Sequence, residues 1–174
     1  MRPGGLPAEE IEACLGRPLL PAEDAPVSLE EPAVVRTQVL IVGGGPAGLA
    51  AAHSLATFGQ ACILVEKEEQ LGGAPILEGY AKLVPSGEWA KDAIGGMVDR
   101  AANHELVDVK SGTTVTSFNG EAGDFTAGLS NGESVEVSSA ILCTGFSHFD
   151  SANKPEWGFG TFPDVVTTSQ VEQM

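Results

Sequence analysis

Residues Gln38 to Leu55 read QVLIVGGGPAGLAAAHSL. Val39–Val42 is a short apolar run, the pattern of a strand buried on both faces. Three glycines follow, and a fourth comes after Pro46-Ala47. From Pro46 to Phe58 the residues favour helix, with Pro46 in the first turn, where its missing N–H costs least. Gly59 fits the position just past the helix end. Ala47, Ala50, Ala51 and Ser54 form a small-residue face expected to bring this helix close to a sheet. Ala61–Glu66, ACILVE, reads as a second buried strand. The result is a strand–turn–helix–strand unit with parallel strands.

The glycines stand as G-x-G-x-x-G at Gly43, Gly45 and Gly48. Alone this spacing is weak, but here it follows a strand and opens a helix. Gly43 allows the tight turn, Gly45 leaves room for a diphosphate at the backbone, and Gly48 lets helix and strand pack closely. The helix N-terminus offers free N–H groups and a positive dipole end to phosphate. Pro46 and Ala47 complete this loop. Glu66 ends the second strand, 18 residues after Gly48, with Lys67 beside it. A carboxylate there accepts hydrogen bonds from both ribose hydroxyls and repels a 2′-phosphate, which favours FAD or NAD over NADP.

Farther along, Glu88–Asn103 reads as a helix with Trp89, Ala93, Met97, Val98 and Ala101 on one face, although Gly95-Gly96 interrupts it. Glu105–Val109 reads as a further parallel strand. The period then shortens. Thr113–Phe118, Phe125–Leu129 and Glu133–Val137 are short strands, with Asn119-Gly120 and Asn131-Gly132 as hairpin signals between them. Ala140–Cys143 returns to an apolar strand ending at Thr144-Gly145.

Composition bounds the function. The chain has 174 residues, 9 basic and 24 acidic, and a net charge of -15, which argues against nucleic acid as a partner because its phosphates would be repelled. Its 22 glycines, about 13%, exceed a typical ~7%. Cys14, Cys62 and Cys143 lie far apart and form no disulfide framework, zinc pattern or iron–sulfur pattern. The N-terminus lacks a signal-peptide core, and no apolar run reaches the ~18 residues of a membrane span. A cytoplasmic protein is expected. Residues 1–36, rich in Pro and Glu, read as an extended arm with one or two helical turns over residues 7–15. Residues 37–174 read as the folded domain.

Gly72-Gly73 follows Glu66 as E-x5-G-G, and A-I-L-C-T-G closes at Thr144 and Gly145. Together with the first motif, these resemble the ordered FAD motifs of glutathione-reductase-like flavoproteins. The resemblance implies an α/β, Rossmann-type FAD-binding domain, with a central parallel sheet, a three-stranded antiparallel meander on one face and helices on the other. It implies FAD contacts at Gly72, Gly73, Thr144 and Gly145, and at Val115, whose backbone would meet the adenine. The stretches C-T-G-F-x-x-F-D, K-P-E-W-G-F-G and F-P-D-V-V-T-T (residues 143–150, 154–160 and 162–168) more narrowly resemble HdrA-like proteins, the flavin subunits of heterodisulfide reductases and of quinone-interacting oxidoreductases. That implies electron transfer among redox partners: iron–sulfur or disulfide-reductase subunits, or a second flavoprotein half, within a homo- or hetero-oligomer.

Against that resemblance, the iron–sulfur cysteine motifs, a pyridine-nucleotide domain and a closing Gly-Asp motif are missing from these residues. The expectation is therefore an incomplete FAD domain, truncated or split. Two rivals stand beside the electron-transfer reading. An NAD(P)H-dependent disulfide or ferredoxin reductase would need a second G-x-G-x-x-G, and none is present. A non-catalytic protein for nucleotide binding or assembly would keep the same site. No catalytic acid, base or nucleophile stands out. Cys62 and Cys143 read as packing residues, as do Trp157 and Phe159, and His53 as surface or interface-facing.

Overall fold

The computed structural model describes residues 38–174. The expected arm over residues 1–36 lies outside them. Four short strands form a parallel sheet in the order β3-β2-β1-β7: β1 Val39–Val42, β2 Cys62–Val65, β3 Val107–Lys110 and β7 Ser139–Leu142. Val39 pairs with Cys62 on one side and Ser139 on the other, so β1 is central. Helix α1, Pro46–Thr57, connects β1 to β2. The short α2, Ala74–Leu77, and α3, Ala90–Ala102, lie between β2 and β3. A separate antiparallel sheet follows: β4 Val115–Glu121, β5 Asp124–Leu129 and β6 Ser134–Val137.

The period-two geometry of strands divides the apolar residues between two cores. Val39, Ile41, Cys62 and Leu64 pack with Leu49, Ala52, Ala56, Ile94 and Ala101 of the helices. Leu40, Ile63 and Val65 pack with Ala127, Leu129 and Val137 of the meander. The parallel sheet is thus a middle layer, apolar on both faces as its sequence requires.

Several details differ from the expectation. Helix α1 buries Gly48, Leu49, Ala52 and Ala56, while Ala47, Ala50 and Ser54 are exposed. The helix is small-residued all round, so Leu49 rather than the alanine pattern selects the inner face. Helix α3 buries Ala90, Ile94 and Ala101 and leaves Trp89 58% exposed, with the Lys82 ammonium 4.9 Å over its ring. Asn119-Gly120 is not a turn. It lies within β4, where Gly120 pairs with Phe125. The chain turns at Ala122-Gly123, and Gly123 takes the positive φ of 93°. The longer hairpin lets Phe118 stack on Phe125 at 4.7 Å, a contact that an earlier turn would forfeit. Asn131-Gly132 does turn, with Asn131 Oδ1 accepting the Glu133 amide at 3.0 Å.

The C-terminal segment holds two 3-10 turns and the short helix α4, Thr168–Glu172. Thr167 and Gln170 cap α4 reciprocally. Trp157 is 66% exposed rather than packed, and Phe159 is half-buried.

Candidate functional site

The C-terminal ends of β1, β2 and β7 converge on the glycine loop. Gly43 takes φ +110°, and a Cβ there would sit 2.2 Å from the Cys143 carbonyl oxygen. A Cβ on Gly48 would sit 1.8 Å from the Gly43 oxygen. These two glycines are required by the fold itself. Gly45 is different: its Cβ position meets nothing nearer than Gly73 Cα at 3.7 Å, and its free side opens into a cleft. Gly45 is also the N-cap of α1, and no side chain caps that end. The first-turn N–H groups and the positive end of the helix dipole are left for a ligand.

Gly72 and Gly73 back this loop. The Gly72 amide donates to the Gly44 carbonyl at 2.9 Å. Gly73 takes φ +62°, and a Cβ on it would lie 2.8 Å from Gly45 Cα. The two glycine segments therefore touch backbone to backbone.

Glu66 is only 6% exposed. Its Oε2 accepts the Gly44 amide at 2.5 Å and its Oε1 accepts the Glu68 amide at 3.0 Å. Each carboxylate oxygen retains a lone pair. The Thr113 amide donates to the Glu66 carbonyl at 2.9 Å, which brings the start of the meander against the end of β2. Gly44 was not singled out in the sequence, yet it carries this link, and a Cβ on it would strike Leu71 at 2.5 Å. The consecutive GGG was its only signal.

The cleft has a volume of about 660 Å³, within the ~300–1,000 Å³ range of small-molecule sites. Gly43, Gly45, Pro46 and Ala47 line it, with Glu66 and Lys67. So do Gly73, Val115, Thr144 and Gly145. Gly48 and Gly72 do not line it but shape the backbone around it. Lys67 is exposed and paired with Glu68 at 3.4 Å. Sequence reasoning missed Tyr80 and Phe146, which also line the cleft. Burial, then the Glu78 and Glu172 carboxylates, hold the Tyr80 phenol above its usual range. This donor set fits a nucleotide diphosphate: an uncapped helix start for phosphate and an acceptor-only carboxylate for hydroxyl donors.

The remaining candidates are mostly structural. Burial pushes the Cys62 thiol up, and Cys62 is fully enclosed in the helix-side core. Cys143 is half-buried against that core and borders the cleft. His104 Nδ1 accepts the Leu106 amide at 3.2 Å. His53 is half-buried, and its Nδ1 has no partner. His148 Nε2 meets Glu78 Oε2. No helix among the described residues is long and apolar enough to cross a membrane.

Residues 37–150 match the model of the pyridine nucleotide-disulphide oxidoreductase family. The chain is 33% identical over 97 residues to the HdrA polypeptide of the ferredoxin:CoB-CoM heterodisulfide reductase of Methanosarcina acetivorans, covering 55% of this chain and 12% of that protein. It is 29% identical over 145 residues to ferredoxin–NADP reductase of Granulibacter bethesdensis, covering 79% and 40%. The chain thus spans well under half the length of these relatives. Among solved structures it resembles L-proline dehydrogenase from P. horikoshii, with a TM-score of 0.56 and 24% identity over 64% of this chain and 23% of that one. It also resembles T. acidophilum thioredoxin reductase, with a TM-score of 0.54 and 24% identity over 66% and 38%. Both show the same fold.

Proposed function

Because the chain belongs to the pyridine nucleotide-disulphide oxidoreductase family, a family of FAD-dependent oxidoreductases, we propose that it carries the FAD site of an HdrA-like electron-transfer flavoprotein, of the kind found in heterodisulfide reductases. In this reading residues 37–174 form the FAD-binding unit. Gly43, Gly45, Pro46 and Ala47 cradle the diphosphate, and Gly48 lets the helix pack closely behind them. Glu66, with Lys67 beside it, takes the ribose hydroxyls, and Val115 borders the adenine. Gly72 and Gly73 set the loop, while Thr144 and Gly145 close the opposite side.

The observation that carries this reading is the contrast within the glycine loop. Gly43 and Gly48 are closed by backbone, whereas Gly45 opens on a cleft that Glu66 also lines. The flavin would supply the redox chemistry, and the chain binds and orients it. The partners in this reading are other redox subunits. The acidic chain suits partners with basic surfaces.

A pyridine-nucleotide-dependent reductase is the second reading, supported by the similarity to ferredoxin–NADP reductase. Anaerobic reduction of the FAD-loaded chain separates the two. The electron-transfer reading expects the flavin to bleach with dithionite or reduced ferredoxin and to stay oxidised with NADH or NADPH. Rapid bleaching by either nicotinamide cofactor would establish the reductase instead.

A further inference from the structure

We propose that Glu78 is a positioning residue that clasps the C-terminal segment against the mouth of the cleft, coupling occupancy of the cleft to docking of that segment. The occupant, FAD, rests on the functional reading above.

The segment after β7 has little apolar anchorage. Of residues 144–174 only Gly158 is buried, and α4 buries no residue. Most of its aromatic side chains are largely exposed, Phe146 by 70% and Phe149 by 63%. Apolar burial therefore cannot hold it in place.

Polar ties do. Ser169 Oγ donates to Glu78 Oε2 at 3.1 Å, and Gln173 Nε2 donates to the Glu78 carbonyl at 3.0 Å. His148 Nε2 meets the same Glu78 Oε2, with Tyr80 Oη 3.5 Å from that nitrogen. A fourth tie lies three residues on, where the Ala81 amide donates to Glu172 Oε2 at 2.7 Å. Two of the four ties end on the Glu78 carboxylate and a third on its backbone carbonyl.

Glu78 and Tyr80 line the cleft from one side of this junction, and Phe146 from the other. Phe146 packs edge-on against the His148 ring at 5.1 Å. A ligand that touches this wall reads both segments at once. Whatever stabilises the clasp then stabilises the complex, and the ligand reciprocally stabilises the clasp.

Amide NMR of the whole chain tests this, with FAD titrations alongside. In the FAD-free chain, Glu78→Ala is expected to move the resonances of Thr168–Glu172 toward random-coil positions. The Ala81 amide should move with them, although its own partner is Glu172. The Kd for FAD should rise about threefold to tenfold, the scale of modest coupling between sites. Ser169→Ala, which removes one tie, should show the same changes at smaller size. Lys154→Ala, in the same segment but paired with Glu156, should show neither. Unchanged Ala81 and Thr168–Glu172 resonances in Glu78→Ala would overturn the clasp. Altered resonances with an unchanged FAD Kd would overturn the coupling. If the unaltered chain takes up no FAD, the functional reading fails, and the FAD-free spectra still decide the clasp.

Discussion

The Gly44 amide donates to the Glu66 carboxylate across 2.5 Å, tying the glycine loop to the end of β2. In the proposed reading the carboxylate has two tasks, holding the loop through its own hydrogen bonds and receiving a ribose through its remaining lone pairs. Glu66→Ala is expected to weaken FAD binding by about 1–3 kcal/mol, the scale of a lost charged hydrogen bond. It also leaves the Gly44 and Glu68 amides without their acceptor, so urea denaturation should show lower stability as well. Unchanged FAD affinity would remove Glu66 from the ribose site.

The three motif glycines should separate fold from function. Gly48→Ala and Gly43→Ala drive a Cβ into backbone, 1.8 Å and 2.2 Å from carbonyl oxygens. Both should lose about 3 kcal/mol or more of stability, through strain that no side-chain motion can relieve. Gly45→Ala meets only an ordinary contact, with Gly73 Cα at 3.7 Å. It should keep its melting temperature within a few degrees and lose at least about tenfold in FAD affinity, because its methyl group occupies the diphosphate's place. Comparing thermal denaturation with FAD titration for the three variants checks this. Equal loss of stability in all three would remove the contrast on which the site rests.

An ion pair braces the two sheets. Lys110, at the end of β3, reaches Glu133, before β6, at 2.8 Å and Asp108 at 3.3 Å. Its hydrogen bond to Glu133 leads the interactions that hold the lysine above its usual range, and the same pair holds the Glu133 carboxyl below its own. A depressed carboxyl contributes stability above its unfolded-state value, and that contribution is lost as pH falls through the folded one. Stability should therefore drop in acid, less steeply in Glu133→Gln and at high salt. The effect is small because the Glu133 carboxylate is exposed to solvent. An identical acid limb in the variant would discount the brace.

Two cysteines should differ in reactivity. Cys62 is enclosed and its thiol is held neutral by burial, whereas Cys143 is half-buried beside the cleft. Brief labelling of the native protein with a thiol reagent should modify Cys143 and spare Cys62, as read by peptide mass spectrometry. Labelling of Cys62 at the same rate would mean that the sheet opens readily.

Much of this was legible in the sequence because side chains were absent where backbone must meet backbone or a ligand. Val39–Val42 and Cys62–Val65 announced themselves as strands apolar on both faces, and G-x-G-x-x-G lay between them. The inner face of α1 was not legible, since alanines surround the helix and leave no moment to read. Gly120 misled because positive-φ glycines serve bulged or twisted strands as well as turns, and the Phe118–Phe125 stack favours the longer hairpin. The Glu78 ties were invisible because they join residues about ninety positions apart through single polar atoms. Helix α4 escaped because it has five residues and no buried face.

The central claim is that the cleft beneath the glycine loop holds FAD. The most direct test is the visible spectrum of the purified chain, before and after incubation with FAD, with the released cofactor identified by chromatography. Flavin bands and one equivalent of released FAD are predicted, with or without added cofactor. A folded chain that carries no flavin and takes up none at saturating FAD would contradict the claim.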